Sequence, residues 1–191
     1  MKFSFSLRFV WLLVSCVICM QSMAQKRYHG DGVDDVLRFI PWAGVVGLKV
    51  MNVPSTNDWK HFGVNAAFSA GLAVETTYAL KKTINDSRPD GTDNKAFPSG
   101  HASIVFAGAH VLHKEYGHVS PWISLSGYAI AMATAVDRVR RNRHEWDDVA
   151  AGAVIGVASV ELGYWLGRKV LPPHVGVSVS PNMVSCVFYV K

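Results

Sequence analysis

The sequence predicts an all-α protein, a helical bundle whose five helices span a membrane or are embedded in it. Half of the 191 residues are apolar and 17% are charged. This excludes a disordered chain, because disorder requires low hydrophobicity and high charge. Five apolar segments run through the middle of the chain, and all of them are longer than ordinary strands. Two of these segments, 62–80 and 149–167, are long enough to cross a bilayer, which takes about 20 residues.

The N-terminus is predicted to be a secretory signal peptide covering residues 1–24. Lys2 and Arg8 flank the apolar stretch 9–20, and Ser22-Met23-Ala24 follows as a cleavage site of small residues. Cleavage would remove two basic residues and lower the formal charge from +5 to +3. Two alternatives stay open, which are acylation at Cys16 as in bacterial lipoproteins and retention of the segment as an anchor.

The domain that follows, residues 25–171, contains all five apolar segments. They cover residues 36–51, 62–80, 102–112, 121–136 and 149–167. They are rich in Ala, Gly, Val and Leu, and such small residues let the helices of a membrane bundle pack closely. A soluble bundle with a very apolar core is the alternative.

Residues 172–191 are predicted to form a short β-like tail, because valines alternate there with small residues before a second β-rich run. Cys186 is the one cysteine outside the signal, so no disulfide within the mature chain is expected, and no cysteine spacing indicates zinc. The chain has no long basic run, which argues against nucleic acid as a partner, and no protein partner can be inferred.

Candidate functional residues first occur where the second apolar segment ends. Lys81 and Arg88 lie seven residues apart there, and Pro89 follows. Basic residues at the C-terminus of a helix are ordinarily explained by the helix dipole. Taken alone, this cluster is therefore a weak indication of function.

A second group, Pro98-Ser99-Gly100-His101, directly precedes the third apolar segment. The start of a helix has free N–H groups that bind anions, and the Ser99 hydroxyl can donate to the same anion. His101 is placed where it could deliver a proton to a leaving group. The alternative is a serine cap followed by a surface histidine.

The third group lies between the fourth and fifth segments. Arg138 is a forked donor suited to phosphate. His144 and Asp148 are four residues apart and share a face of a helical turn, so the carboxylate can fix the tautomer of the imidazole. Asp147 is a competing partner for His144. A solvated charged face is expected for three further basic residues, Arg140, Arg141 and Arg143.

Together the three groups resemble the three-part signature of the type 2 phosphatidic acid phosphatase superfamily. That superfamily includes membrane lipid phosphatases, bacterial acid phosphatases and vanadium haloperoxidases. The motifs span residues 81–148, and the surrounding helices extend the likeness to 36–167. One position departs from the pattern, because Asp137 stands where the family usually has serine. Asp137 is therefore expected to point away from the phosphate and to pair with a basic neighbour.

The resemblance implies a phosphatase mechanism without a metal or other cofactor. His144 would attack phosphorus and form a phosphohistidine, Asp148 would orient His144, and His101 would act as acid and then as base. The groups expected to hold the phosphoryl oxygens are Lys81, Arg88, Ser99, Gly100 and Arg138. Binding of a metal by the two histidines is disfavoured by the adjacent cations.

The resemblance further implies an exported bacterial phosphatase acting on a lipid phosphate at the periplasmic face of the inner membrane. Candidate substrates are lipid A, undecaprenyl pyrophosphate, and phosphatidic acid or phosphatidylglycerophosphate. Five spans after a cleaved signal would put all three motifs on one membrane face, although this topology opposes the positive-inside tendency. The alternatives are a soluble periplasmic acid phosphatase, a non-catalytic membrane scaffold and, more remotely, a vanadate-dependent peroxidase.

Overall fold

Helices make up most of the chain between residues 33 and 170. The computed structural model describes residues 32–172 and the backbone of residues 174–180 and 183–189. Six helices lie in this part of the chain: α1 (Val33–Leu37), α2 (Ile40–Val50), α3 (Trp59–Thr83), α4 (Gly100–Tyr116), α5 (Pro121–Arg140) and α6 (Trp146–Val170). The predicted signal peptide lies outside the described residues.

The prediction of a helical bundle is confirmed, since each of the five apolar segments overlaps one of the helices α2–α6. The first segment differs in detail, because its helix is interrupted near Phe39. Pro41 lies in the first turn of α2, where its fixed φ and missing N–H favour the start of a helix. The residues before it therefore form the separate short helix α1.

Side chains mark the start of most helices. The Asp58 carboxylate accepts a hydrogen bond from the His61 N–H at 2.8 Å at the start of α3. Ser99 and Ser120 are the N-caps of α4 and α5. At α6 the Asp148 carboxylate accepts from the Glu145 N–H at 2.9 Å. Such caps satisfy backbone N–H groups that have no partner within the helix.

Helix α4 is the centre of the bundle and packs against α2, α3, α5 and α6. Its residues Val105, Ala109 and Val111 are fully buried. Because successive long helices run in opposite directions, the C-terminal ends of α3 and α5 lie at the same end of the bundle as the N-terminal ends of α4 and α6. All three predicted motifs are at this end.

Two glycines of α6 allow it to lie directly against α4. A Cβ atom at Gly152 would be 2.5 Å from the Ser99 carbonyl oxygen, and one at Gly156 would be 2.4 Å from the Ser103 carbonyl oxygen. Real Cβ atoms do not approach oxygen so closely. The N-terminal turn of α4 is therefore held against α6 beside the predicted site.

Beyond α6 the backbone forms two antiparallel strands, β1 (His174–Ser180) and β2 (Met183–Tyr189), with His174 opposite Tyr189. Among the helices of the described residues, α6 is long and apolar enough to cross a membrane. The other four predicted spans do not meet that criterion.

Candidate active site

His144 and Asp148 form a buried pair in the third motif. Nδ1 of His144 lies 3.2 Å from Oδ2 of Asp148, and both side chains are almost completely buried. The same carboxylate oxygen caps α6 through the Glu145 N–H, so the start of the helix fixes the carboxylate that orients the ring. The Nδ1 contact leaves Nε2 of His144 as the atom free to react.

Three cations and the second histidine face His144. Burial lowers the pKa of His144 most, the charges of Arg138, Arg88, Lys81 and His101 add to the effect in that order, and together they bring it to about 2. These charges belong to residues from all three motifs. The structure therefore brings the predicted residues together around one neutral imidazole, which is the protonation state that a nucleophile requires.

Lys81 lies at the end of α3 and points across to the loop before α4. Its ammonium group donates to the carbonyl oxygens of Lys95 at 2.7 Å and Ala96 at 3.2 Å. Burial and the neighbouring Arg88 charge lower the pKa of Lys81 to about 8. An anion bound beside Lys81 would raise this value again.

Arg88 is held by its own loop. Its Nε donates to Asp93 at 2.7 Å, and its backbone N–H donates to the Asp93 carbonyl oxygen at 2.9 Å. Its NH1 is buried and has no hydrogen-bond partner among the described residues. Asp93 was not among the candidates from the sequence, where it is one of several acidic residues in a polar loop.

The second motif is attached to the third through the backbone. The Ser99 N–H donates to the Asp148 carbonyl oxygen at 3.0 Å, and the Ser99 side chain is completely buried. A Cβ atom at Gly100 would lie 3.9 Å from Cε of Lys81, so the backbone of Gly100 is close to the Lys81 side chain. The first turn of α4 therefore lies among the same charged groups.

His101 contacts two residues of α1 and the residue that follows this helix, and none of the three was identified from the sequence. Its Nε2 lies 2.7 Å from Oδ1 of Asp35, 3.1 Å from NH1 of Arg38 and 3.8 Å from Oδ2 of Asp34. Burial lowers the pKa of His101, the Arg138 charge lowers it further, and the Asp35 hydrogen bond raises it.

Asp34 is the second unanticipated residue. Its carboxylate is fully buried, accepts a hydrogen bond from NH1 of Arg138, and pairs with NH1 of Arg141 at 2.5 Å. Asp34 and Asp35 are an ordinary acidic pair in the sequence. Arg138 lies 104 residues away from Asp34, and no local spacing connects them.

The expectation of a solvated charged face at Arg140, Arg141 and Arg143 is wrong for two of the three. Arg141 pairs with Asp34, and NH1 of Arg143 donates to Asp90 at 2.9 Å. Both partners lie far away in the sequence, so the run of basic residues itself gives no sign of these pairs. Arg140 is exposed. Asp137 lies 3.9 Å from Arg141, which matches the expected pairing with a basic neighbour.

Unpaired donors show what the cluster can bind. Nε of Arg138 is buried, like NH1 of Arg88, and has no partner within the described part of the chain. Buried donors without partners are costly, and an oxyanion would satisfy both. In residues 32–172, no three His, Cys, Asp or Glu side chains converge to hold a metal ion.

The protein is thus a helical bundle in which helix ends place Lys and Arg side chains around two histidines, an arrangement suited to an oxyanion. The chain belongs to the PAP2 superfamily, whose family profile matches residues 62–171. This range includes all three motifs, and it confirms the resemblance inferred from the sequence.

One relative and one solved structure refine the comparison. The chain is 33% identical over 161 residues to a lipid A 1-phosphatase from Porphyromonas gingivalis, and the alignment covers 81% of the chain and 36% of that relative. The chain thus spans about a third of the relative's length. The crystal structure of LpxE from Aquifex aeolicus matches with a TM-score of 0.54 at 19% identity, over 68% of this chain and 82% of that one. This second likeness concerns the fold alone.

Proposed function

We propose that the protein is a phosphatase that removes phosphate from a membrane lipid through a phosphohistidine intermediate. The observation that carries this proposal is the neutral, buried His144 held by Asp148 and surrounded by Arg138, Arg88 and Lys81. Its relative from P. gingivalis is named a lipid A 1-phosphatase. This supports a lipid phosphate as the substrate, with lipid A first, then undecaprenyl pyrophosphate and phosphatidic acid or phosphatidylglycerophosphate.

In the first step, Nε2 of His144 forms a bond to phosphorus while the bond to the leaving oxygen breaks. His101 gives that oxygen a proton. Asp148 stabilises the positive charge that develops on the His144 ring. In the second step, water attacks phosphorus, the N–P bond breaks, and His101 takes up the proton of the water.

The phosphoryl oxygens carry growing charge in both steps. Arg138 and Arg88 have buried donors without partners, and Lys81 supplies a third positive charge. The Ser99 hydroxyl and the Gly100 N–H complete the set at the start of α4. Preorganised donors of this kind supply much of the stabilisation of a transition state, and in this proposal no metal ion is required.

A membrane location is supported by exposed aromatic residues near both ends of α3 and of α6, and we call the residues near the site and those near the opposite end the two aromatic bands. Trp146 and Trp165 of α6 are exposed, as are Trp59 and Tyr78 of α3. Each pair is 19 residues apart, which corresponds to about 28 Å along a helix. The hydrocarbon core of a bilayer is about 30 Å thick, and Trp and Tyr prefer its two surfaces.

Between these bands the exposed surface is largely apolar and includes Val74, Met132, Val154 and Leu162. The site lies at the end of the bundle that carries Tyr78 and Trp146. A lipid phosphate at the membrane surface would meet the site there. We infer an enzyme of the bacterial inner membrane, with a cleaved signal peptide at 1–24 and the site facing the periplasm.

A soluble periplasmic acid phosphatase is the second candidate, and two carboxylates favour it. Glu75 of α3 and Glu161 of α6 are exposed between the two aromatic bands, and Glu161 pairs with Lys114. A carboxylate facing lipid is unfavourable, because charged residues in membrane helices nearly always face the protein interior.

Phosphate release from the purified protein tests the proposal. The substrates are lipid A, undecaprenyl pyrophosphate and phosphatidic acid in detergent, with p-nitrophenyl phosphate as the soluble substrate. We expect a lipid to be preferred, EDTA to leave the rate unchanged, and orthovanadate to inhibit. His144→Ala should be inactive, and His118→Ala, an exposed histidine at the other end of the bundle, should be fully active.

Three results would contradict parts of the proposal. Activity lost on chelation and restored by a divalent metal would overturn the metal-free mechanism. Preference for p-nitrophenyl phosphate would favour the soluble acid phosphatase. Substantial turnover by His144→Ala would exclude His144 as the nucleophile.

A further inference from the structure

The short helix α1 brings a fully buried carboxylate to the proposed phosphate site. One oxygen of Asp34 accepts a hydrogen bond from NH1 of Arg138, and the other pairs with NH1 of Arg141 at 2.5 Å. The exposed fraction of Asp34 is 0% and that of Arg138 is 5%. A buried carboxylate between two guanidinium groups is strongly held, because removing one partner leaves an uncompensated buried charge.

The contact with Asp34 uses only part of the Arg138 guanidinium. This group is a rigid plane with five donors, so a bond at NH1 fixes the direction of the others. Nε of Arg138 is buried and has no hydrogen-bond partner among the described residues. The Asp34 bond thus holds one edge of the plane and leaves another donor for an anion.

Asp34 also separates two like charges. Arg141 follows Arg138 by three residues at the end of α5, and both guanidinium groups meet at the same carboxylate. Without this carboxylate the two cations would repel each other. Arg141 is the more exposed of the two side chains. Without the Asp34 carboxylate, the Arg138 side chain would therefore lose the fixed position that a phosphate ligand needs.

We propose that Asp34 is a positioning residue of the active site, which sets the orientation of Arg138 toward the phosphoryl group. Asp34 acts through Arg138 and does not touch the substrate. This inference rests on the proposed function, because it assumes that Arg138 binds phosphate. It adds α1, which lies outside all three sequence motifs, to the catalytic unit.

A rival role for the same carboxylate is inhibition. Oδ2 of Asp34 is 3.8 Å from Nε2 of His101, so it could occupy the place of a phosphoryl oxygen on Arg138. The substrate would then have to displace it. The two roles predict opposite effects on the binding of an oxyanion.

The test is the affinity of Asp34→Asn for orthovanadate, measured by titration calorimetry on the purified full chain in detergent. Loss of positioning should weaken binding by about 10- to 100-fold, the size typical of a misplaced supporting group. The kcat for the lipid substrate should fall as well. Asp137→Asn is the matched control, since it removes one negative charge near Arg141 without touching NH1 of Arg138, and its affinity should stay within about twofold.

A double-mutant cycle with Arg138→Gln separates positioning from general stability. If Asp34 acts through Arg138, Asp34→Asn should have little further effect on orthovanadate affinity once Arg138 is replaced. Independent losses that simply add would overturn the proposal. If Asp34→Asn does not fold, as judged by its thermal unfolding, Asp34→Glu takes its place. Glu keeps the charge but shifts the carboxylate, so weaker binding is again expected.

Other outcomes also decide between the roles. Tighter orthovanadate binding and faster turnover by Asp34→Asn would overturn positioning and establish inhibition. Unchanged affinity and kcat would overturn both. A wild-type protein that hydrolyses no phosphate ester refutes the proposed function itself. An active wild type with an unaffected Asp34→Asn variant refutes this inference alone.

Discussion

Two histidines at one site have neighbours of different charge. His144 faces three cations and a buried carboxylate, whereas Nε2 of His101 contacts Asp35 of α1 and Arg38, the residue that follows α1. Burial and nearby cations lower the pKa of both histidines, but at His101 the Asp35 hydrogen bond opposes that lowering. A carboxylate beside His101 helps it to hold the proton that a general acid delivers, whereas a nucleophile must be neutral.

This division of roles predicts different defects for the two alanine variants. His101→Ala lacks the proton donor. With an alcohol as the leaving group, its phosphoenzyme should therefore form about 10²- to 10⁴-fold more slowly than that of the wild type. An activated leaving group such as p-nitrophenol needs little protonation, so that deficit should shrink. Rapid-quench measurements should detect a stoichiometric burst of p-nitrophenol in His101→Ala. A burst in His144→Ala, or equal impairment of His101→Ala on both substrates, would mean that the roles are reversed or wrong.

The lowered pKa of His144 predicts acid sensitivity of the fold. The unfolded chain binds a proton at this imidazole below about pH 6.5, whereas the folded chain does so only near pH 2. Between these values the unfolded state holds more protons, so stability falls as the pH falls. Each pH unit costs up to about 1.4 kcal/mol.

Unfolding in denaturant between pH 7 and pH 5 checks this effect. His144→Asn should lose less stability over that range than the wild type, and His118→Asn, which alters an exposed histidine, should behave like the wild type. Identical pH dependence in wild type and His144→Asn would contradict the buried neutral imidazole.

Residues of the motifs could be predicted from the sequence, but their supporting partners could not. Lys81, Arg88, His101, Arg138 and His144 stand at fixed spacings near the ends of apolar segments. Asp34, which pairs with Arg138 across 104 residues, has no such spacing. Long-range ion pairs depend on how helices pack, and a single sequence contains no direct sign of that.

At the scale of elements, the long apolar segments predicted the helices well. Burial of an apolar face decides where a long helix forms, and that pattern is local. The break between α1 and α2 was missed, because it depends on Pro41 and on the contacts of Asp34 with α5. The closure of the loop 86–94 on itself, through the Asp86 N–H bond to the Asn94 carbonyl oxygen at 3.2 Å, is likewise not visible in the sequence.

The close contact of α6 with α4 makes a prediction at this scale. In Gly152→Val the side chain would collide with the Ser99 carbonyl oxygen, which lies 2.5 Å from the Cβ position. Overpacking typically costs about 1–3 kcal/mol. Because Ser99 belongs to the site, we expect both a lower unfolding temperature and a lower kcat.

Gly71→Ala is the matched control for this experiment. Gly71 lies in α3, is exposed, and has no atom within 4 Å of its Cβ position among the described residues. Alanine favours a helix over glycine by up to about 1 kcal/mol, so this variant should be as stable as the wild type or slightly more stable. Normal activity of Gly152→Val would show that the α4–α6 contact does not hold the site in place.

At the scale of the whole molecule, the aromatic bands restrict the depth and the orientation that the bundle can have in a bilayer. Trp146 lies near the site, and Trp165 lies near the opposite end of α6. If the bundle spans the membrane, both indole rings lie at interfaces and the residues between them meet lipid. A soluble bundle would expose the same rings to water.

Alkaline carbonate extraction of membranes makes the first distinction. The proposed membrane enzyme should stay in the pellet, because apolar burial in lipid does not depend on salt or pH, whereas a soluble or peripheral protein should be released. Phosphatase activity should follow the protein into the same fraction. Release of most of the activity into the supernatant would favour the soluble periplasmic candidate to which the exposed Glu75 points.

Fluorescence quenching then tests the depth of each band. Variants that keep a single tryptophan, either Trp146 or Trp165, are reconstituted into vesicles of lipids brominated at shallow or at deep acyl positions. Rings at an interface should be quenched more strongly by shallow bromines than by deep ones. A third variant that keeps only Trp42 is the control, because this partly buried indole packs against the core and donates to the Ile104 carbonyl oxygen at 3.0 Å. It should be quenched weakly by both lipids. Equal, weak quenching of all three rings would mean that the exposed apolar surface of α6 does not meet lipid, and the membrane location would have to be abandoned even if the phosphatase activity were established.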